Sequence, residues 1–180
     1  PAFVRVVERF RLLRFVNWMS INFSVIRTWS DGNTMESPGW GEWGHGGVPV
    51  EFMIDLCEEV HADGWFHIPH LADDDYVRRF ATKLRDELDP GLRIYLEYSN
   101  ETWNWSFDQY HELVQVAEAR GIEGNESEKV WRYTAIRSVE IFAIFEEVFG
   151  SEAMGTRVIR IIPTQAGPDM STDTMLNYDI

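Results

Sequence analysis

Leu92-Arg93-Ile94-Tyr95-Leu96-Glu97-Tyr98-Ser99-Asn100-Glu101-Thr102-Trp103-Asn104-Trp105 is the stretch on which the reading of this 180-residue chain turns. It follows Asp89-Pro90-Gly91, a strong turn signal. Residues 92–98 alternate, with Leu92, Ile94, Leu96 and Tyr98 on one side and Arg93, Tyr95 and Glu97 on the other. That is a strand period filled mostly by β-formers. The strand then runs into a polar and aromatic mouth, residues 99–105. A carboxylate flanked by an amide and indoles at a strand end suggests an active site on the carboxyl edge of a parallel sheet.

Outward from this stretch, helices and strands alternate. Downstream, residues 107–120 carry Tyr110, Leu113, Val114, Val116 and Ala117 at helical spacing, and Gly121 closes them. A longer helix is expected over 126–149, stopped by Gly150, then a strand over 157–162 and a loop over 163–168. Upstream, Asp73-Asp74-Asp75 caps a helix whose stripe is Val77, Phe80, Ala81, Leu84 and Leu88. Before it lies a short strand over 65–68, ended by Pro69. A helix over 50–62 presents Phe52, Met53, Leu56, Cys57 and Val60, with Pro49 at its start and Gly64 as its stop. Residues 21–47 read as loop and carry Trp29, Trp40 and Trp43. Residues 12–18 read as a strand on which Arg14, Val16 and Trp18 share parity, and residues 2–10 read as helix. The order α–β–α–β–α–β–α–α–β predicts an α/β fold with about four parallel strands. No Gly-rich phosphate loop follows any strand, so a doubly wound nucleotide-binding sheet is disfavoured.

Asn100-Glu101 at a strand end resembles the Asn-Glu pair of the clan of retaining (β/α)8-barrel glycoside hydrolases. Glu97-Tyr98-Ser99-Asn100-Glu101 followed by Trp103-Asn104 is similar, more narrowly, to bacterial barrels often linked to carbohydrate-binding modules. The resemblance implies a partial TIM barrel, with these strands as the second to fifth. It implies Glu101 as acid/base and Asn100 as a ligand of the sugar 2-hydroxyl. Arg14 and Trp18 resemble an Arg-x-x-x-Trp of the clan's second strand, where Arg supports the catalytic carboxylates. Arg14 could equally be a structural partner of an inward Glu97. His70 matches a sugar-binding His at the end of the clan's third strand, and Trp103 offers an indole for stacking on a sugar. The parent protein is then expected to be secreted or extracellular, to act on or bind carbohydrate, and to need no cofactor.

Composition narrows the partners. Lys and Arg number 16 against 30 Asp and Glu, a net charge of −14, which disfavours nucleic acid and anionic membranes. Eight Trp and 14% aromatic residues suit sugar binding, or simply a well-filled core. The single cysteine, Cys57, excludes an internal disulfide and falls on a buried stripe. A (β/α)8 barrel takes ~250 residues. The chain also starts without Met and stops with no closing element, so residues 1–180 are expected to be a fragment of one barrel domain without an internal boundary. Four Asn-x-Ser/Thr sequons, at Asn22, Asn100, Asn104 and Asn125, are read as accidental, since a glycan on Asn100 would block the site.

A retaining glycosidase needs two carboxyls ~5–5.5 Å apart. Glu97 lies four residues from Glu101, ~13 Å along a regular strand, too far to be the nucleophile. The nucleophile is therefore expected beyond Ile180, leaving the fragment alone inactive. Strict alternation sends Asn100 and Glu101 to opposite faces, so both reach one site only if the strand end is bulged or twisted. Two rivals stay open: a carbohydrate-binding barrel without catalysis, and a metal-dependent hydrolase using His67 and His70. Against the second, Asp73–Asp75 already serves as a cap, and spacing three places the two His on opposite faces of a strand.

Overall fold

The computed structural model describes residues 2–40, 46–165 and 170–178. Four strands, β1 (Leu12–Arg14), β2 (Asp63–Ile68), β3 (Ile94–Tyr98) and β4 (Val158–Ile161), form one sheet in chain order. All three pairings are parallel, in the order expected from the sequence. The links between strands contain α2 (Val50–Val60), α3 (Asp74–Glu87) and the pair α4 (Asp108–Ala119) and α5 (Glu126–Phe149), following α1 (Ala2–Val7). Parallel neighbours need such crossovers, because a tight turn cannot reverse the chain and bring it back in the same direction.

Register divides the sheet into two chemically different faces. Leu13, Phe66, Ile68, Ile94, Leu96, Tyr98 and Val158 form the buried apolar face with the helices. Arg14, Trp65, His67, Tyr95 and Glu97 occupy the other, with Arg14 paired to Trp65 and His67 to Glu97. The apolar face leaves little slack. A Cβ at Gly64 would stand 2.3 Å from the Phe66 ring and 3.2 Å from Cys57 Sγ. Gly64 is thus a close-approach residue inside β2, not the helix stop expected of it. The helix ends at Val60, where His61 turns left-handed (φ 51°) and its N–H returns to Cys57 and Glu58 carbonyls. Cys57 is buried, and desolvation pushes its thiol up to about 12.

Local signals explain most boundaries. Asp73 Oδ1 accepts the Tyr76 N–H at 2.7 Å and caps α3. Asn125 and Glu128 form a reciprocal capping box that starts α5 where the sequence places it, and Gly150 (φ 85°) ends it. Two differences stand out. Residues 21–40 are not a bare loop: 3₁₀ turns at Ile21–Phe23 and Trp29–Asp31 fold them, and Ile21 and Ile26 enter the core. A further helix, α6 (Met170–Leu176), packs on α5. Its polar sequence has no apolar stripe to announce it. On α1, Val4 and Val7 pack partly against the core, while Phe3 and Val6 are largely exposed.

Candidate active site

At the carboxyl ends of β1, β2 and β3 lies a cleft of ≈ 310 Å³, lined by Arg14, Trp65, Glu97, Asn100, Glu101 and Trp103. Ile161 to Gln165, at and beyond the end of β4, form its other wall. How Asn100 and Glu101 come to share it is visible in the backbone. The regular strand stops at Tyr98, and Ser99 (φ 54°) and Glu101 (φ 44°) both adopt left-handed conformations. Non-glycine residues rarely do so, at a cost of ~1–2 kcal/mol each. The chain turns twice, and two residues that would diverge on a strand face one cleft.

Arg14 ties the site together. Its Nη2 donates to Glu97 Oε2 at 3.1 Å and to Asn100 Oδ1 at 2.7 Å, while the guanidinium stacks over the Trp65 ring at 4.5 Å. Arg14 is thus the partner of the inward Glu97, and it also lines the cleft. Trp65 Nε1 donates to the same Glu97 oxygen at 2.8 Å. Glu97 is only 3% exposed, and burial raises its carboxyl above the ordinary carboxylate value. Arg14 and Trp65 pull it back down, and the charge of Glu101 adds to the rise.

Behind Glu97 sits His67, fully buried, with Nδ1 2.8 Å from the Ser99 carbonyl and 3.4 Å from Glu97 Oε2. The carbonyl can only accept, so Nδ1 carries the proton, and Nε2 is a buried acceptor without a partner among the described residues. Burial lowers the imidazole to about 3, so it is neutral near pH 7.

The Ser99–Asn100 turn is held from α4. Gln109, fully buried, donates to the Asn100 carbonyl and accepts from Ser99 Oγ at 2.6 Å. Asn100 Nδ2 donates to Asn22 Oδ1 at 2.9 Å. On the outer side, Asn104 Nδ2 donates to Glu101 Oε2 at 2.9 Å. Asn22, Trp65, Asn104 and Gln109 were not singled out as site residues from the sequence. Asn22 and Trp65 meet partners distant in the chain, 78 and 32 positions away, which no local pattern marks; Asn104 belongs to the quoted string but carries no role there. The sequon asparagines Asn22, Asn100 and Asn104 are engaged in these bonds, and Asn125 caps α5.

Trp18 and His70 lie elsewhere. β1 is three residues long, so the parity linking Arg14 to Trp18 lapses, and a turn returns Met19 N to the Phe15 carbonyl. Trp18 packs among Phe3, Phe15 and Phe52. His70 is buried beside Glu112, Nε2 to Oε2 2.5 Å, and lines a separate cleft with Arg27 and Asp108. Its basicity is lowered by burial, with Glu112 opposing. His67 and His70 thus have different neighbours, and no group of three or more His, Cys, Asp or Glu among the described residues is arranged to hold a metal ion. Trp29 packs on Tyr76 and Trp40 on Phe52, on α3 and α2, while Trp43 lies outside the described residues. Trp105 is 72% exposed and gives Glu101 little shelter; Trp103 lines the cleft instead. No helix among the described residues is long and apolar enough to cross a membrane. Comparison with family models, curated proteins and solved structures gave no match.

Proposed function

We propose that the chain is part of a (β/α)8-barrel glycoside hydrolase that acts on a polysaccharide with retention, Glu101 serving as general acid/base. The observation that carries this reading is the shared cleft: Glu101, Asn100, Arg14 and Trp103 line one cavity at the carboxyl ends of parallel strands. In parallel α/β architectures that edge is where side chains from successive strands converge on a ligand.

Each residue has a chemical role in such a reaction. Glu101 protonates the departing glycosidic oxygen and then takes a proton from the attacking water. Arg14, bonded to Asn100 Oδ1, fixes that amide, whose Nδ2 is already turned toward Asn22. Trp103 supplies an apolar wall against which a sugar ring packs. Glu97 is unsuited to be the nucleophile, because Arg14 and Trp65 both bond its Oε2 and it is almost fully buried. The nucleophile carboxylate comes from a further strand of a longer chain. The four strands are then the second to fifth of the barrel, in a protein exported to meet polymeric substrate and linked to carbohydrate-binding modules. No cofactor enters this chemistry.

The test is a panel of polysaccharides incubated with the longest form of the protein, read by reducing-end release and by proton NMR of the first-formed anomer. Release with retained configuration is expected. Depletion of a polysaccharide from solution without any release would make the barrel a carbohydrate-binding module instead.

A further inference from the structure

Asn104 stands three residues after Glu101 in a turn whose geometry leaves its amide little choice. Its own backbone N–H donates to the Glu101 carbonyl at 2.8 Å, which places the side chain beside the Glu101 carboxyl. Asn104 Oδ1 accepts the Ser106 N–H at 3.1 Å, an Asx turn that commits the oxygen end of the amide. The nitrogen end must then face the other way, and Nδ2 donates to Glu101 Oε2 at 2.9 Å. The backbone at Glu101 is itself left-handed, so this carboxyl is aimed by a strained turn and pinned by one side chain.

We propose that Asn104 is the positioning residue of Glu101: its amide holds the carboxyl aimed into the cleft. The donated N–H bond commits Oε2 and so selects one rotamer of the Glu101 side chain. The other charged groups facing Glu101 across the cleft are Glu97 from β3 and Arg14 from β1. From the β4 side come Ile161, Ile162, Pro163, Thr164 and Gln165, all uncharged. Arg14 is already bonded to Glu97 and Asn100. Among the described residues Asn104 is therefore the donor committed to the Glu101 carboxyl. The inference rests on the acid/base reading for its catalytic meaning, but the contact itself can be tested without any turnover.

Asn104→Asp is the informative substitution. It retains an oxygen for the Ser106 N–H, so the turn persists, while the donor facing Glu101 is replaced by a like charge. The Hβ–Hγ couplings of Glu101, followed by NMR in the same protein, are expected to report one dominant rotamer in wild type and rotamer averaging in Asn104→Asp. Asn104→Ala removes donor and turn acceptor together; it should average the same couplings and also lower Tm. Couplings that are unchanged in Asn104→Asp, with Tm near wild type, overturn the inference whether or not the protein is an active hydrolase. Where hydrolysis is measurable, kcat should fall by ~10-fold or more with KM little changed. A kcat that stays at the wild-type level while the Glu101 side chain is averaged would refute the catalytic role of Glu101 and with it that of Asn104.

Discussion

Glu97 and Glu101 lie four residues apart and open onto one cleft, yet the fold treats them in opposite ways. Glu97 is on a regular strand, almost fully buried, with Arg14, Trp65 and His67 around one oxygen. Glu101 is on an irregular turn, half-buried, with Asn104 as its donor. A buried carboxylate in a ring of partners is costly to disturb, because each partner loses its own bond too. A half-buried carboxylate on a strained backbone contributes little to the fold, and the strain is tolerated because the rest of the structure determines the turn. The difference separates the carboxyl that holds the site's shape from the carboxyl available for chemistry.

Glu97→Ala should break the structural half most severely. Trp65 Nε1 loses an acceptor, and Arg14 keeps only Asn100. Because the Arg14 side chain is 39% exposed and can turn to water, the loss is moderated to ~2–3 kcal/mol, read as a fall in urea midpoint with unchanged slope. On the apolar face, Gly64→Ala should cost ~1–3 kcal/mol, since the new Cβ overlaps the Phe66 ring.

The pH dependence of stability sharpens the same contrast. His67 is held neutral with its folded value lowered to about 3. On acidification the unfolded chain takes the proton first, near ~6.5. The stability His67 contributes is thus fully present above ~6.5 and is lost as pH falls toward about 3. Glu97 has the opposite sign. Its raised folded value means the native state binds the proton first, which offsets part of the loss as pH drops toward the ordinary carboxylate range. Replacing His67 by Gln should flatten the stability curve between pH 6.5 and 3, and Glu97→Gln should steepen it. Urea unfolding across that range measures both.

The smallest effect is expected at Glu101 itself. Glu101→Gly relieves a left-handed backbone at φ 44°, so Tm should stay level or rise, within ~1 kcal/mol of wild type. A loss comparable with that of Glu97→Ala would erase the distinction between the two carboxylates.

Much of this arrangement is legible in the sequence. Alternation over 92–98 and the Asp73 cap fix two elements from local chemistry alone. The need for a distorted strand end also follows from parity, and the turns at Ser99 and Glu101 meet it. What escapes is long-range or depends on where pairing stops. Asn22 meets Asn100 across 78 positions, and nothing near either residue marks the contact. Trp18 was tied to Arg14 by a parity that needs a five-residue strand, and β1 has three. Gly64 followed a helix in sequence, yet its absent side chain answers to Phe66 and Cys57 in space. Gln109 stands in the first turn of α4, where a polar residue looks like a solvated one, but the Ser99–Asn100 turn buries it.

The central claim, that Glu101 is the proton donor of a glycosidase, is tested most directly by Glu101→Gln in the longest form of the protein, assayed on two substrate types. Gln preserves the shape but has no acidic proton. Hydrolysis of a natural polysaccharide, whose leaving group needs protonation, should fall by ~10²–10⁴-fold. An aryl glycoside with an activated leaving group should keep a fast first step and show a burst as the glycosyl-enzyme accumulates. Equal and modest losses on both substrates would contradict the account and leave Glu101 as a ligand-binding carboxylate.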